Sequence, residues 1–206
     1  MPSRNVIKTD VSESYYHIYA RGNNKQAIFI DSFDYDYFIN LFERYLSKSK
    51  KISKTGVGYP CYSSSIELIC YCLMPNHFHL LIYQKNAGFM SKLMRSTMTS
   101  YSRYFNLKYK RSGSVFESTY KASRVDQQSY LEHISRYIHL NPRYYKTYPY
   151  SSIKHFTNNQ TNLPEWLQPR RVLELFDSKE EYKKFMVDYE AHKQMLDEIK
   201  YELADQ

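Results

Sequence analysis

Two histidines at alternate positions, His77 and His79, are the first residues whose type and spacing could support chemistry. They fall in a run typical of a β-strand, where side chains alternate between two faces, so both imidazoles lie on one side and Phe78 on the other. A strand of this kind presets two nitrogen ligands for a divalent metal ion. Taken alone, the pattern is more often two structural histidines than a metal site.

A second pair of residues, Tyr137 and Asn141, is separated by four positions and therefore shares one face of a predicted helix. The amide oxygen of Asn141 suits Mg²⁺ or Mn²⁺, and the Tyr137 hydroxyl can act as a nucleophile. His133 lies one turn earlier on the same face. In a helix so rich in tyrosine, packing is the commoner role for a single tyrosine.

The elements that must position these residues follow from local sequence patterns. Strands are predicted over residues 15–20, 66–74, 77–83 and 114–125. Helices are predicted from near residue 31 to 46, over 89–105, and from a cap at Asp126 to a stop before Pro142. The resulting β-α-β-β-α-β-α order is a split β-α-β pattern.

This order predicts an α+β fold, ferredoxin-like or RRM-like, in which an antiparallel sheet is flanked by helices. Residues 1–150 are expected to form the main domain and residues 151–206 a C-terminal helical extension. Within the extension, residues 178–203 have the pattern of one helix or a helix pair.

Composition excludes several classes of protein. The 206 residues can bury a sizeable core, and a mean hydropathy of -0.67 without a long apolar run excludes a membrane span. Three cysteines, an odd number, do not make a disulfide framework. The polar N-terminal residues lack the pattern of a secretory signal, so we expect a cytoplasmic protein with reduced thiols.

Charge and aromatic content indicate a nucleic-acid ligand. The net charge is +8, and residues 85–154 contain 13 basic side chains against three acidic ones. The chain also has 23 tyrosines and 11 phenylalanines. Aromatic rings interleaved with Lys and Arg suit stacking on unpaired bases, so we expect a single-stranded nucleic acid as partner. The alternative is an aromatic core beneath a solvated basic surface.

Residues 74–81 (MPNHFHLL) and 137–142 (YIHLNP) together resemble the HUH single-strand transposases with one catalytic tyrosine, and most of all the REP-associated tyrosine transposases. Residues 19–24 (YARGNN), 113–116 (GSVF) and 149–152 (PYSS) add to the likeness. The segments occur in the family's order over about residues 10–176.

This resemblance implies a transposase and endonuclease that cleaves and rejoins single-stranded, hairpin-forming DNA through a 5′-phosphotyrosine intermediate, with residues 1–150 as its catalytic domain. It implies Tyr137 as the nucleophile and His77, His79 and Asn141 as ligands of Mg²⁺ or Mn²⁺, with no nucleotide cofactor. Because the imidazoles must be neutral to bind a metal, we expect cleavage to weaken below about pH 6.

Contacts to the DNA are assigned to polar residues at likely strand ends and near the site in sequence. They are Arg21, Asn23, Asn24, Lys25, Arg111, Lys121, Arg124 and Arg143. A DNA partner also predicts association with the nucleoid, and a homodimer is left open.

Two other functions fit parts of the sequence. A non-catalytic ferredoxin-like module would bind single-stranded nucleic acid tightly without covalent chemistry. A structural zinc site would arise if residues 75–76 closed a tight hairpin, because Cys72 would then lie opposite His79 and share a face with Cys70 and His77.

Overall fold

The computed structural model describes residues 10–49, 51–53, 55–125, 128–159 and 162–188. Its centre is a four-stranded antiparallel sheet in the order β2-β3-β1-β4. The strands are β1 (Ser14–Arg21), β2 (Ile66–Met74), β3 (His77–Gln84) and β4 (Lys121–Val125). The two strands at the middle of the sheet, β1 and β3, therefore have a partner on both sides.

Helices cover both faces of this sheet. The first face packs against α1 (Ser32–Leu46) and α2 (Phe89–Lys108), and the second against α3 (Gln128–Leu140). The chain continues through α4 (Ile153–Thr157), α5 (Arg170–Leu173) and α6 (Lys179–Val187), which join the cluster on the second face. None of the helices in the described ranges has the length and apolar character needed to cross a bilayer.

Strand alternation divides the side chains between the two faces. On β1, Tyr16 and Ile18 belong to the core under α1 and α2, whereas Tyr19 belongs to the cluster under α3. On β3, Phe78 and Leu80 likewise face α1 and α2. The alternate residues of β3, which include His77 and His79, therefore face α3.

The predicted α+β architecture and the order of its first seven elements are confirmed. Helix α1 begins where a capping box predicts it, because the Asp31 side chain accepts from the Asp34 amide and the Asp34 side chain accepts from the Asp31 amide. The predicted cap at Asp126 lies outside the described residues, as does the part of the predicted 178–203 helix beyond residue 188.

The predicted extended segment 114–125 is wrong over its first half, since β4 begins only at Lys121. Two consecutive residues, Val115 and Phe116, are both buried in the core under α1 and α2. A regular strand would send consecutive side chains to opposite faces. The chain instead bends here, and Phe116 forms an isolated bridge with Gly22.

The described part of the C-terminal segment is fastened to α3 by buried polar contacts. Arg136 is fully buried, and its guanidinium donates to the backbone oxygens of Phe185 and Asp188 at the end of α6. The His139 ring contacts the Tyr182 hydroxyl and the Ser152 hydroxyl, at 2.8 Å each. The helix that carries Tyr137 is therefore tied to α6 and to the residue that precedes α4.

Gly22 is required for the turn after β1, and we expect Gly22→Ala to destabilise the fold. A Cβ at this position would lie 2.1 Å from the Gln26 oxygen and 2.8 Å from Ile28 Cγ2. Overpacking of this kind costs about 1–3 kcal/mol in free energy of unfolding, which urea denaturation measures.

Gly58 provides the matched control, because a Cβ there would meet nothing within 4 Å. We expect Gly58→Ala to change the free energy of unfolding by less than about 0.5 kcal/mol. Equal effects of the two substitutions would show that the close packing at Gly22 is not what constrains this turn.

Candidate active site

His77 begins β3, and its ring is held by the hairpin residue that precedes it. Its Nδ1 lies 2.6 Å from Asn76 Oδ1. The Asn76 amide nitrogen donates to the Lys25 backbone oxygen, which fixes the amide with its oxygen toward the ring. Burial lowers the pKa of His77, so the ring is neutral near pH 7 and carries its single proton on Nδ1. The Nε2 atom then presents a lone pair.

Asn141 lies one residue beyond the end of α3, and its side chain is oriented by that helix. Its Nδ2 donates to the Tyr137 backbone oxygen at 3.3 Å, one turn earlier. The amide oxygen therefore points to the sheet, where Oδ1 lies 3.3 Å from His77 Nε2. The spacing of four residues thus positions an oxygen donor opposite an imidazole.

In the tautomer that donates from Nδ1 to Asn76, the contact between His77 Nε2 and Asn141 Oδ1 joins two acceptors. Each atom has its proton partners assigned elsewhere, on Asn76 for the ring and on the Tyr137 backbone for the amide. Two lone pairs that face each other in a buried site repel unless a cation lies against both. The donor set of imidazole nitrogen and amide oxygen fits a divalent metal ion.

His79 completes this face of the site and lies deeper than His77. The two ring centroids are 5.0 Å apart, and His79 is 5% exposed. Its Nδ1 is 2.9 Å from Nε2 of His17, a fully buried residue of β1. Burial, reinforced by the charges of the neighbouring histidines and Arg21, lowers the pKa of His79 well below its ordinary value. The Nε2 atom of His79 is left to contact another partner.

Tyr137 projects from α3 onto two of the three imidazoles that the sheet provides. Its ring packs edge-on against His79 and His17, at centroid distances of 5.4 and 5.9 Å. Burial raises the pKa of the hydroxyl, and the hydrogen bond with Asn141 and the charge of Arg21 oppose that rise. The structure thus brings Tyr137, His77, His79 and Asn141 together within one chain.

Six of the predicted DNA contacts lie at the edge where this site opens. Arg21 ends β1 opposite His77, and the turn Asn23–Lys25 follows it against the 75–76 hairpin. Lys121 begins β4 on the same face, with its Nζ 5.6 Å from the ring of Tyr19. Arg143 is exposed two residues beyond Asn141.

Two other predicted contacts are not brought to this site. Arg124 pairs with Tyr16, so its side chain belongs to the face covered by α1 and α2. Arg111 lies beyond the end of α2, with its guanidinium 5.5 Å from the Phe105 ring. A role for either residue in DNA binding stays a prediction.

His133 and His139, which share a helix with Tyr137, are turned away from it. His133 Nδ1 contacts the Arg136 guanidinium at 2.9 Å, and His139 is enclosed by Tyr182 and Ser152. Neither ring is in position to take a proton from the tyrosine.

The structure reproduces one part of the arrangement that a structural zinc site would need. Cys72 does lie opposite His79. Both Cys70 and Cys72 are nevertheless buried in the apolar cluster under α3, where burial raises the pKa of their thiols. Within the described ranges, no three His, Cys, Asp or Glu side chains are grouped to hold a metal. A metal bound to the two histidines would need the oxygen of Asn141.

Sequence reasoning missed two residues of the site, His17 and Tyr19. Tyr19 is 8% exposed, its ring lies 5.9 Å from that of His79, and its hydroxyl has no hydrogen-bond partner among the described residues. Their alternate spacing in β1 repeats that of His77 and His79. That spacing becomes informative only once the pairing of β1 with β3 is known.

A basic groove on the opposite face of the sheet was also missed. It has a volume of about 730 Å³ and lies between α2 and the bend before β4. Arg95 and Arg103 line one wall and Ser114 and Thr119 the other, and none of the described residues that line it is acidic. The available signal was the spacing of eight between the two arginines, which places them on one side of α2.

Comparisons with known proteins agree with this geometry. Residues 10–141 match the family model "Transposase IS200 like". The fold is similar to that of a REP-associated tyrosine transposase solved with a REP hairpin, with a TM-score of 0.51, 10% identity, and coverage of 79% of this chain and 89% of that one. At this identity the likeness establishes the fold.

A Deinococcus radiodurans structure, solved as that of a candidate transposase, gives a TM-score of 0.40 at 13% identity and covers 64% of this chain and 93% of that one. A search of curated protein sequences gave no match.

The pKa values of His77 and His79 lead to a prediction about metal binding and pH. Two ordinary imidazoles, with pKa near 6.5, would lose about tenfold in metal affinity between about pH 7 and pH 6 through competition with protons. Because burial lowers the pKa of both rings, and that of His79 well below its ordinary value, they lose less of their neutral form over this interval than free imidazoles do. We expect Mn²⁺ affinity, measured by calorimetry, to fall by clearly less than tenfold over the same interval.

An unstructured peptide with the sequence of residues 74–81 is the control and should show the ordinary decline. A decline of the same size in the folded protein would mean that the rings are as accessible to protons as those of the peptide.

Proposed function

The chain belongs to the IS200-like transposase family, and on that premise we propose that it is a metal-dependent enzyme that cleaves and rejoins single-stranded, hairpin-forming DNA with Tyr137 as the nucleophile. One observation carries the proposal. A tyrosine, two imidazole rings and an amide oxygen meet on one face of the sheet, and one chain supplies all of them. The proposal therefore requires no homodimer.

The residues that would hold the metal are His77, His79 and Asn141. A bound Mg²⁺ or Mn²⁺ would polarise a non-bridging oxygen of the scissile phosphate and offset the charge that builds up there. Imidazole nitrogens suit Mn²⁺ better than Mg²⁺, whereas the amide oxygen suits both. No nucleotide cofactor is needed, because the phosphotyrosine link conserves the energy of the phosphodiester.

The chemistry assigned to Tyr137 is an in-line displacement at phosphorus. The phenol gives up its proton to solvent water as its oxygen forms a bond to phosphorus. The bond between phosphorus and the 3′ oxygen breaks, and that oxygen leaves as a 3′-hydroxyl after taking up a proton from water. The product is a 5′-phosphotyrosine. Attack by another 3′-hydroxyl reverses the exchange, so the energy of the phosphodiester is conserved without hydrolysis of a nucleotide.

Arg21 has a specific part in this step. Its charge lowers the pKa of Tyr137, which burial otherwise raises. A guanidinium beside the site stabilises both the developing phenolate and the phosphate that it attacks. Arg21 is thus the predicted DNA contact that the geometry supports most directly.

DNA would bind to both faces of the sheet. The arginines and hydroxyls of the basic groove suit the phosphates of a hairpin stem, while the turn Asn23–Lys25 and Lys121 lie beside the site of cleavage. The relative of similar fold was solved with a hairpin, which supports a hairpin ligand here. A DNA substrate would place the protein at the nucleoid in the cytoplasm.

The test of the nucleophile uses end-labelled single-stranded hairpin DNA with Mn²⁺. We expect the native protein to form a covalent adduct that survives denaturation, and Tyr137→Phe to form none because it lacks the attacking oxygen. Loss should exceed about 100-fold, the scale for removal of an essential group. Adduct is measured on a denaturing gel, and DNA binding by anisotropy should be nearly unchanged.

Tyr144→Phe is the matched control, since Tyr144 is 72% exposed and lies four residues beyond α3. It should form adduct at the native rate. Adduct formation by Tyr137→Phe would move the nucleophile to another tyrosine. Tight binding by the native protein without any adduct would favour the non-catalytic ferredoxin-like module instead.

The basic groove can be tested with Arg95→Ser. If Arg95 contacts a phosphate, hairpin affinity should fall, and the slope of log affinity against log salt should become shallower by roughly 0.9. Lys92→Ser removes one charge from the same helix outside the groove and is the control. Equal effects of the two changes would indicate general electrostatic attraction rather than a groove that seats DNA.

A further inference from the structure

His17 contributes an unassigned interaction at the centre of the site. Its Nε2 lies 2.9 Å from Nδ1 of His79, and the two rings stack with an interplanar angle of 17°. His17 is fully buried, and its own Nδ1 has no hydrogen-bond partner among the described residues. Buried polar atoms without partners are rare, so this one calls for a functional explanation.

The contact between the two rings can form in only two ways when both are neutral. Either His79 donates from Nδ1 and keeps a lone pair on Nε2, or His17 donates and the proton of His79 sits on Nε2. Only the first arrangement lets Nε2 of His79 bind a metal ion. The choice of donor between these two nitrogens therefore decides whether the second imidazole of the strand can act as a ligand.

Asn76 shows the same principle at His77. Its Oδ1 accepts from Nδ1 of that ring and leaves Nε2 as a lone pair beside Asn141. Outer groups that hold the second nitrogen of a histidine ligand fix its tautomer and its orientation. For His79, the group in that place is an imidazole rather than an amide or a carboxylate.

We propose that His17 is a positioning residue that accepts the Nδ1 proton of His79 and so holds the Nε2 lone pair of His79 ready for the metal ion. The proposal rests on the proposed function only for the presence of the metal. In this arrangement His17 keeps its own proton on Nδ1, where no described group accepts it. Burying this N–H without an acceptor costs free energy, and that cost accompanies the tautomer of His79 that can bind a metal ion.

The first test measures Mn²⁺ affinity by the electron paramagnetic resonance signal of the free ion. His17→Leu removes the acceptor, and we expect binding to weaken by about 10–100-fold. His17→Gln keeps an acceptor oxygen and should bind within a few-fold of the native protein. Cleavage by His17→Leu should recover at high Mn²⁺, because the lesion is in affinity and not in the nucleophile.

His155→Gln is the control for the loss of a buried imidazole. His155 is 5% exposed and, like His17, has an Nδ1 with no hydrogen-bond partner among the described residues, but it lies on α4 away from the site. Its substitution should leave Mn²⁺ affinity unchanged. Equal losses of Mn²⁺ affinity in His155→Gln and His17→Leu would show that His17 contributes only general packing.

The second test needs no variant and holds if His17→Leu fails to fold. Long-range ¹⁵N–¹H correlation spectra of the native protein with Mg²⁺ should show the proton of His79 on Nδ1 and that of His17 on Nδ1. A proton on Nε2 of His17, directed at His79, would overturn the proposal.

The outcomes separate this inference from the function on which it rests. Native-level Mn²⁺ binding by a folded His17→Leu protein would overturn the role of His17 alone. Absence of Mn²⁺ binding by the native protein would overturn both the role of His17 and the metal-dependent reaction.

Discussion

The lone pairs of His77 Nε2 and Asn141 Oδ1 face each other across 3.3 Å, and this contact constrains the rest of the site. Each atom is an acceptor because a neighbouring backbone or side-chain group fixes its proton partners: Asn76 for the ring and the Tyr137 backbone for the amide. Burial keeps the ring from resolving the conflict by taking a second proton. In this arrangement a cation would satisfy both atoms, which is the physical basis of the metal site that we propose.

The two faces of the sheet have separate tasks because side chains alternate along β1 and β3. One face carries mainly apolar and aromatic side chains that pack under α1 and α2. The other face carries the imidazoles and Tyr19 and is covered by α3. The two proposed histidine ligands lie on a central strand, so each has a neighbour on both sides, and His17 is such a neighbour. Their rigidity follows from their position in the sheet.

Local periodicity made part of this site predictable. Alternation placed His77 and His79 on one face, and the spacing of four placed Asn141 beside Tyr137. His17 was not predictable, because its contact with His79, 62 positions away in the sequence, depends on the register of β1 against β3. The bend before β4 and the groove beside it were not predictable for a related reason. Burial of Val115 and Phe116 under α1 and α2 overrides their local preference for a strand.

Tyr137, the proposed nucleophile, and the proposed histidine ligands are held by different elements. His77 and His79 belong to the sheet, whereas α3 is fastened by Arg136 and His139 to α6 and to Ser152. Ser152 in turn accepts from the Tyr71 amide of β2, so this anchor also joins α3 to the sheet. The side chains of Arg136 and His139 are fully buried, so a shift of α3 away from these partners would break hydrogen bonds that are costly to lose. These contacts therefore restrain the position of Tyr137 relative to the imidazoles, and Asn141, which follows α3 directly, points its oxygen at β3.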